Sequence, residues 1–169
     1  MATSHLRVVE RIEGPQELVF DLIADLPNYG RWLSRSDVFD GTAEVSPYPV
    51  HLGTTYVDEG PAGKRPGSVT GYERPRFIAF HHSMLVKSDP LNADVDVRIC
   101  CTVDAEGRAT RVTRDVDLTI HMTGLFKLAE PLVVYILRRE NARVLAELKS
   151  YVEEKCKPRT PWRANATPR

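Results

Sequence analysis

The stretch Asp94-Val95-Asp96-Val97-Arg98-Ile99-Cys100-Cys101-Thr102-Val103 decides the fold class, because its polarity alternates along the whole run. Val95, Val97, Ile99, Cys101 and Val103 share one phase, while Asp94, Asp96, Arg98 and Thr102 share the other. A period of two puts successive side chains on opposite faces, so the segment reads as a strand with one dry and one wet face. Antiparallel sheets that lie on a core have this character. Working outward, strand-like stretches at about 38–46, 53–59, 66–73, 76–85 and 109–120 surround it. Turn chemistry separates them at Ser46-Pro47-Tyr48-Pro49, Gly60-Pro61-Ala62-Gly63, Arg74-Pro75, Ser88-Asp89-Pro90 and Asp104-Ala105-Glu106-Gly107.

Nearer the start, Leu6, Val8 and Ile12 alternate with His5, Arg7 and Arg11, which predicts one more strand. Gly14-Pro15 stops it and suits a helix start, since proline at the first helical position loses no hydrogen bond. Leu18, Val19, Leu22, Ile23 and Leu26 then recur three and four apart, giving a short amphipathic helix that Pro27 ends. Asn28 to Trp32 reads as a second short helical turn. After Thr123-Gly124 the period becomes helical again and stays so until near Lys155. Leu125, Leu128, Leu132, Ile136, Val144, Leu148 and Tyr151 form its expected apolar stripe. Pro131 kinks this helix or marks where a first turn gives way to the main rod. Phe126, Val133 and Val134 fall outside the stripe and could support a partner surface or a dimer.

A chain of 169 residues suits one domain, expected over 1–156. Residues 157–169 carry Pro158, Pro161 and Pro168 with Arg159, Arg163 and Arg169, and predict a disordered basic tail. Hydrophobic residues make up 42%, too many for a disordered protein. Lysine plus arginine equals aspartate plus glutamate, 23 against 23, so no global field attracts nucleic acid or an anionic membrane. The longest apolar run, Leu132 to Leu137, is far below the ~20 residues that span a bilayer. The first residues run into a strand without an apolar leader, and the three cysteines match no zinc spacing, so a reducing cytoplasmic setting is expected. No metal and no cofactor is expected, and the chain is expected to be a monomer or homodimer.

The order strand, two short helices, six strands, long helix resembles the START-like helix-grip superfamily, in particular its polyketide cyclase/dehydrase (SRPBCC) group. The residues that carry the resemblance begin with Glu13-Gly14-Pro15-Gln16-Glu17-Leu18-Val19-Phe20 and Asp25-Leu26-Pro27-Asn28-Tyr29-Gly30-Arg31-Trp32. Gly53-Thr54-Thr55-Tyr56, Glu73-Arg74-Pro75-Arg76-Phe77-Ile78-Ala79-Phe80 and the run Leu137 to Lys149 add to it. The resemblance covers roughly residues 5–156. It implies an α+β fold in which a curved seven-stranded antiparallel sheet (β-α-α-β6-α) grips a long C-terminal helix. It also implies one of several roles, since the group spans lipid carriers, aromatic cyclases, dehydratases and hormone receptors, and a fold does not choose among them.

A sheet bent around one helix leaves space that its side chains do not fill, and such space takes small molecules. The expected walls are Val97 and Ile99 from the sixth strand, Val112 and Val116 from the seventh, and Leu132 and Ile136 from the helix, with Val95, Val103 and Leu118 sharing those strand phases. Phe80 adds an aromatic wall, and Tyr56, Tyr72 and Tyr135 could each contribute a hydroxyl, Tyr135 most directly where the helix crosses the sheet. Two charges break the apolar phases. Glu10 is in phase with Leu6, Val8 and Ile12, and Arg114 is in phase with Val112, Val116 and Leu118. The first and last strands are neighbours in the helix-grip fold, so the two could meet, either as an acid and anion holder or as a buried pair that serves only itself. His81 and His82 face opposite ways, and His82 shares phase with Ile78, Phe80 and Met84. It is either an acid-base group or a core histidine satisfied by hydrogen bonds. Gly60, Gly63 and Gly67 beside Lys64 match no phosphate-loop spacing and read as a hairpin.

Two functions follow. One is a binding or carrier module for a small apolar metabolite such as a lipid, polyketide or isoprenoid fragment. The other is a cyclase or dehydratase whose catalytic candidates are Glu10, Arg114, His82 and Tyr135.

Overall fold

The structure is a computed structural model that describes residues 2–61, 63–88, 91–122 and 130–157. Strand β1 (Ala2–Ile12) leads into helix α1 (Gln16–Ala24) and a 3₁₀ segment (Leu26–Arg31). Strands β2 (Gly41–Ser46), β3 (Thr55–Gly60), β4 (Gly63–Glu73), β5 (Phe77–Ser88), β6 (Leu91–Glu106) and β7 (Ala109–Met122) follow, and helix α2 (Glu130–Cys156) ends the described chain. The seven strands form one sheet in the order β1-β7-β6-β5-β4-β3-β2. All pairings are antiparallel. This is the helix-grip arrangement: six consecutive strands make a meander, and β1 closes the far edge beside β7.

The turns explain the meander. Gly60 pairs with Gly63 at the β3–β4 corner, and Gly63 has φ +115, a backbone conformation that other residues rarely adopt. Gly107, at φ +66, turns β6 into β7. The Gly60–Gly67 region is therefore a hairpin. A register shift between Val69 and Gly71 bulges β4, which bends the strand and strengthens its twist. Beside the bulge, the Tyr56 ring lies over Gly67, where a Cβ would stand 2.5 Å from Tyr56 Cζ.

The inward phase of β6 and β7 is buried, with Cys101, Val103, Val112, Val116 and Leu118 all in the core. Cys100 points the other way and Cys156 is exposed, so all three thiols are free and far from one another in environment. Val19, Phe20 and Ile23 of α1 cover one end of the same core.

The helix face differs from the expected stripe. Asn141, Leu145, Leu148 and Val152 are buried, and Val133, Val134, Leu137 and Val144 pack partly against the core. Leu132 is 59% exposed and Tyr135 61%. A line drawn through the apolar residues alone slips by one position, because the true buried line passes through polar Asn141. Leu125, Phe126 and Leu128, the residues Asp89 and Pro90 of one turn, and the tail from 158 onward lie outside the described residues. No described helix is long and apolar enough to cross a membrane.

Gly14 fixes where α2 meets the start of α1. Its carbonyl accepts a hydrogen bond from Thr110 Oγ1 at 2.7 Å, and a Cβ there would run into Val152 and lie 3.5 Å from Cys156 Sγ. Gly14→Ala should therefore overpack this junction and lower the unfolding free energy by about 1–3 kcal/mol. Urea denaturation should show a lower midpoint with an unchanged slope.

Candidate ligand-binding site

Burial of α2 falls from one end to the other. Leu145, Leu148 and Val152 are sealed in the core, whereas Val133 and Leu137 reach it only partly and Ile136 is exposed. The space left under the looser half is a cavity of about 310 Å³. That volume sits at the low end of the range for small-molecule sites. Its sheet wall is Val95, Val97 and Ile99 of β6 with Val116 of β7. Its helix wall is Val133, Ile136, Leu137 and Val144. Tyr29, Leu33, Val38 and Phe39, from the 3₁₀ segment and the loop after it, close a third side.

The polar groups in this lining are Asp37, Asp58, Arg65, His82, Arg114, Glu140 and Asn141. Arg114 stands opposite Cys101 in the β6–β7 register. Its Nε donates to Asn141 Oδ1 at 2.7 Å, and its Nη1 lies 3.6 Å from Cys101 Sγ. Asn141 Nδ2 in turn donates to the Leu137 carbonyl at 2.8 Å. Asn141 thus ties the helix to the inward arginine, which explains a buried amide in an apolar helix face.

Glu140 is already occupied. It accepts from Ser36 Oγ at 2.9 Å and from Arg143 Nη2 at 2.6 Å. Glu147 accepts from the Ser34 backbone N–H at 2.7 Å, from Ser34 Oγ at 2.8 Å and from Arg143 Nη1 at 2.7 Å. This network pins the Ser34–Phe39 loop to α2 and closes the cavity on that side.

The expected site residues divide. His82, Val97, Ile99, Arg114, Val116 and Ile136 come together around the cavity, with Ile136 at its outer edge. Tyr56 and Phe80 are buried behind that lining and stack edge-to-face at 6.1 Å. Tyr56 still reaches inward, its hydroxyl 3.3 Å from His82 Nδ1. Tyr72 packs against Phe20 at 5.5 Å, away from the cavity. Val112 and Val103 are core where the tightly docked half of the molecule covers them, and Leu118, opposite the cavity-lining Val97, is buried as well. Leu132 and Tyr135 point outward, the result of the one-position slip described above. Glu10 does not meet Arg114: it pairs with Lys149 Nζ of α2 at 3.5 Å, because β1 places it at the helix rather than over the cavity. In the β1–β7 register Arg114 faces Val8, and Glu10 faces Val112.

Asp58, Arg65 and Asn141 are functional candidates that the sequence reading passed over. Asp58 lies two residues beyond Tyr56 and so shares its inward phase, the one signal that could have found it. Arg65 is its cross-strand partner. Both looked like ordinary charges beside a hairpin.

Burial and the two guanidinium groups set the protonation states. Burial, helped by the charges of Arg65 and Arg114, pushes the His82 pKa down to about 3, so the imidazole is neutral at physiological pH. His82 keeps some accessible surface, yet protein crowds the ring enough for desolvation to lead. Desolvation raises the Asp58 carboxyl, opposed by the hydrogen bond from Thr42 Oγ1 at 2.6 Å and by Arg65 and Arg114. Burial also raises the Cys101 thiol and the Tyr56 hydroxyl, which disfavours their anions. His81 faces the other way, its Nε2 2.6 Å from Asp96 Oδ2 on the outer surface. Among the described residues, no group of three His, Cys, Asp or Glu side chains is placed to hold a metal ion.

Two outcomes follow. Asn141→Leu leaves Arg114 Nε without its acceptor and should cost about 1–3 kcal/mol in denaturant unfolding. An unfolded histidine protonates near 6.5, whereas folded His82 stays neutral to about 3. Between these values the unfolded state binds more protons, so the His82 contribution weakens the fold as pH falls through that window and is constant above it. The stability difference between wild type and His82→Asn should therefore change by up to about 1.4 kcal/mol per pH unit across pH 6 to 4. Urea curves at three pH values measure it, and parallel pH dependences would contradict it.

Comparison with known proteins fits this architecture. The family model described as "Polyketide cyclase / dehydrase and lipid transport" matches residues 3–153. No curated protein sequence matches the chain significantly. Among solved structures, the protein TTHA0849 from Thermus thermophilus is 19% identical with a TM-score of 0.64, and the match covers 91% of this chain and 100% of that one. The di-domain ARO/CYC protein BexL from the BE-7585A biosynthetic pathway is 15% identical with a TM-score of 0.66, covering 92% of this chain and 51% of that one. The Aha1 dimer from Colwellia psychrerythraea is 14% identical with a TM-score of 0.61, covering 91% and 99%. At these identities the structural likeness concerns the fold alone. The family match along nearly the whole chain, joined to the seven-stranded sheet and its C-terminal helix, shows that the chain belongs to the polyketide cyclase/dehydrase and lipid transport family.

Proposed function

We propose that this protein binds a small, largely apolar metabolite, of lipid, polyketide or isoprenoid type, in the cavity between the sheet and α2. One observation carries the reading: about 310 Å³ of space has a largely apolar surface formed by Val95, Val97, Ile99, Val116, Val133 and Leu137, beside the seven polar side chains named above. Apolar walls bind through area removed from water. A ligand that loses about 300 Å² of apolar surface gains about 7–8 kcal/mol before the costs of association. The apolar walls lose exposed area as well, and the association costs of about 4–15 kcal/mol then leave a Kd in the micromolar range or weaker.

A second reading, an enzyme of cyclase or dehydratase type, draws support from Tyr56 and His82 meeting at the cavity wall. Enclosure of a reactive chain would lower the entropy cost of ring closure. Against it stands the basicity of His82: an imidazole held near pKa 3 is a poor proton acceptor at neutral pH. Binding without turnover is therefore the better-supported role.

A neutral fluorescent probe such as N-phenyl-1-naphthylamine should bind with micromolar Kd and gain fluorescence. Leu137→Trp, which puts an indole into the cavity, should weaken that binding at least tenfold while far-UV circular dichroism stays unchanged. Equal probe binding by wild type and Leu137→Trp would overturn the reading.

A further inference from the structure

We propose that the ligand of this cavity is an apolar molecule ending in a single carboxylate, held between Arg65 and Arg114. The inference rests on the binding role proposed above and adds the ligand's charge.

The two arginines enter from β4 and β7, which are separated by β5 and β6 in the sheet. In the strand registers Arg65 lies two residues to one side of the His82 row and Arg114 four residues to the other, so the two arginines approach the cavity from opposite sides. His82 on β5 lies between them and feels both charges. Both arginines line the cavity.

Each guanidinium keeps at least one donor without a strong acceptor. Arg65 Nε is buried and has no hydrogen-bond partner among the described residues. Arg114 uses Nε on Asn141, while its Nη1 has only the weak thiol acceptor of Cys101 at 3.6 Å. Neither arginine forms an ion pair with a carboxylate among the described residues, although ion pairs are frequent elsewhere on the molecule, as at Arg7–Asp115 and Arg74–Asp21. Buried guanidinium N–H groups without acceptors are costly, and such groups are ordinarily paired.

The carboxylates of the lining do not take these donors. Glu140 accepts from Ser36 and from Arg143, which it shares with Glu147, and Asp37 is exposed. Asp58 is hydrogen-bonded by Thr42 and can balance one guanidinium when ionised. Arg65 Nε and Arg114 Nη1 then remain donors without a carboxylate, beside apolar walls and a neutral histidine. A carboxylate supplies one charge and two planar acceptors that match a guanidinium fork. A neutral end group would leave those donors unsatisfied.

The test is competition at pH 7.5 against N-phenyl-1-naphthylamine, with decanoic acid set against decanamide and 2-naphthoic acid set against 2-naphthamide. In at least one pair the acid should displace the probe at concentrations about 10- to 100-fold lower than the amide. Arg65→Gln and Arg114→Gln should each shrink that preference at least fivefold, read within each variant as the ratio of acid to amide displacement. Should Arg114→Gln fold poorly, Arg65→Gln decides the matter. Equal displacement by acid and amide in both pairs, or an acid preference that survives Arg65→Gln, would overturn the proposal while leaving the binding role intact. A probe that does not bind wild type at all would instead remove the binding role, and this inference with it.

Discussion

The unequal docking of α2 governs the rest of the structure. Its C-terminal half inserts Leu145, Leu148 and Val152 fully into the core, and its N-terminal half does not close on the sheet. Tight packing at one end supplies the area removed from water that holds the helix in place. The other end can then stand away from β6 and β7 without the helix detaching. A helix docked evenly along its length would leave no cavity. The close approach at Gly14 and the ties from Lys149 to the Arg11 carbonyl at 2.6 Å and from the Glu13 N–H to Glu153 at 3.1 Å keep the tight end tight.

Asn141 stands at the change between the two halves. Above it the helix is sealed; below it the wall opens on the cavity. A buried amide there is stable only because it accepts from Arg114 and donates to the Leu137 carbonyl. The arginine is positioned by the same bond, so helix placement and the charge inside the cavity are set together. The Arg143–Glu140–Glu147 cluster does the corresponding work outside, holding the Ser34–Phe39 loop against the helix. Low polarity around His82, Asp58 and Arg114 amplifies every electrostatic effect among them. Selectivity in such a cavity belongs to its few polar groups, and the apolar walls supply affinity.

Much of the architecture was legible along the chain. The alternation of Asp94 to Val103 and the glycine-bearing corners announced an antiparallel meander, and Leu18 to Leu26 announced the short helix. Strands β5 and β6 run longer than the alternation suggested, since cross-strand hydrogen bonds extend pairing through residues of mixed polarity. The site was legible only in part. His82, Val97, Ile99, Arg114 and Val116 were placed inward by their phase, and the structure does bring them together. Leu132 and Tyr135 were misplaced because apolarity alone marked the helix face, and Asn141 broke that mark. Glu10 shares the right phase, yet Lys149 reaches it from the helix. Asp58 and Arg65 look like surface charges until the β3–β4 hairpin folds over the cavity.

The sequence by itself determined periodicity: which segments are strands or helices, which face of each strand is dry, and where the chain turns. These are local properties, fixed by residues two to four positions apart. Only the tertiary structure decided which inward residues border empty space and which are packed, because that depends on how far α2 stands from each part of the sheet. It also decided which charges find partners. Arg114 and Glu10 are equally inward by phase, but one is held at a cavity by Asn141 and the other is neutralised by Lys149, and both partners come from a helix far along the chain.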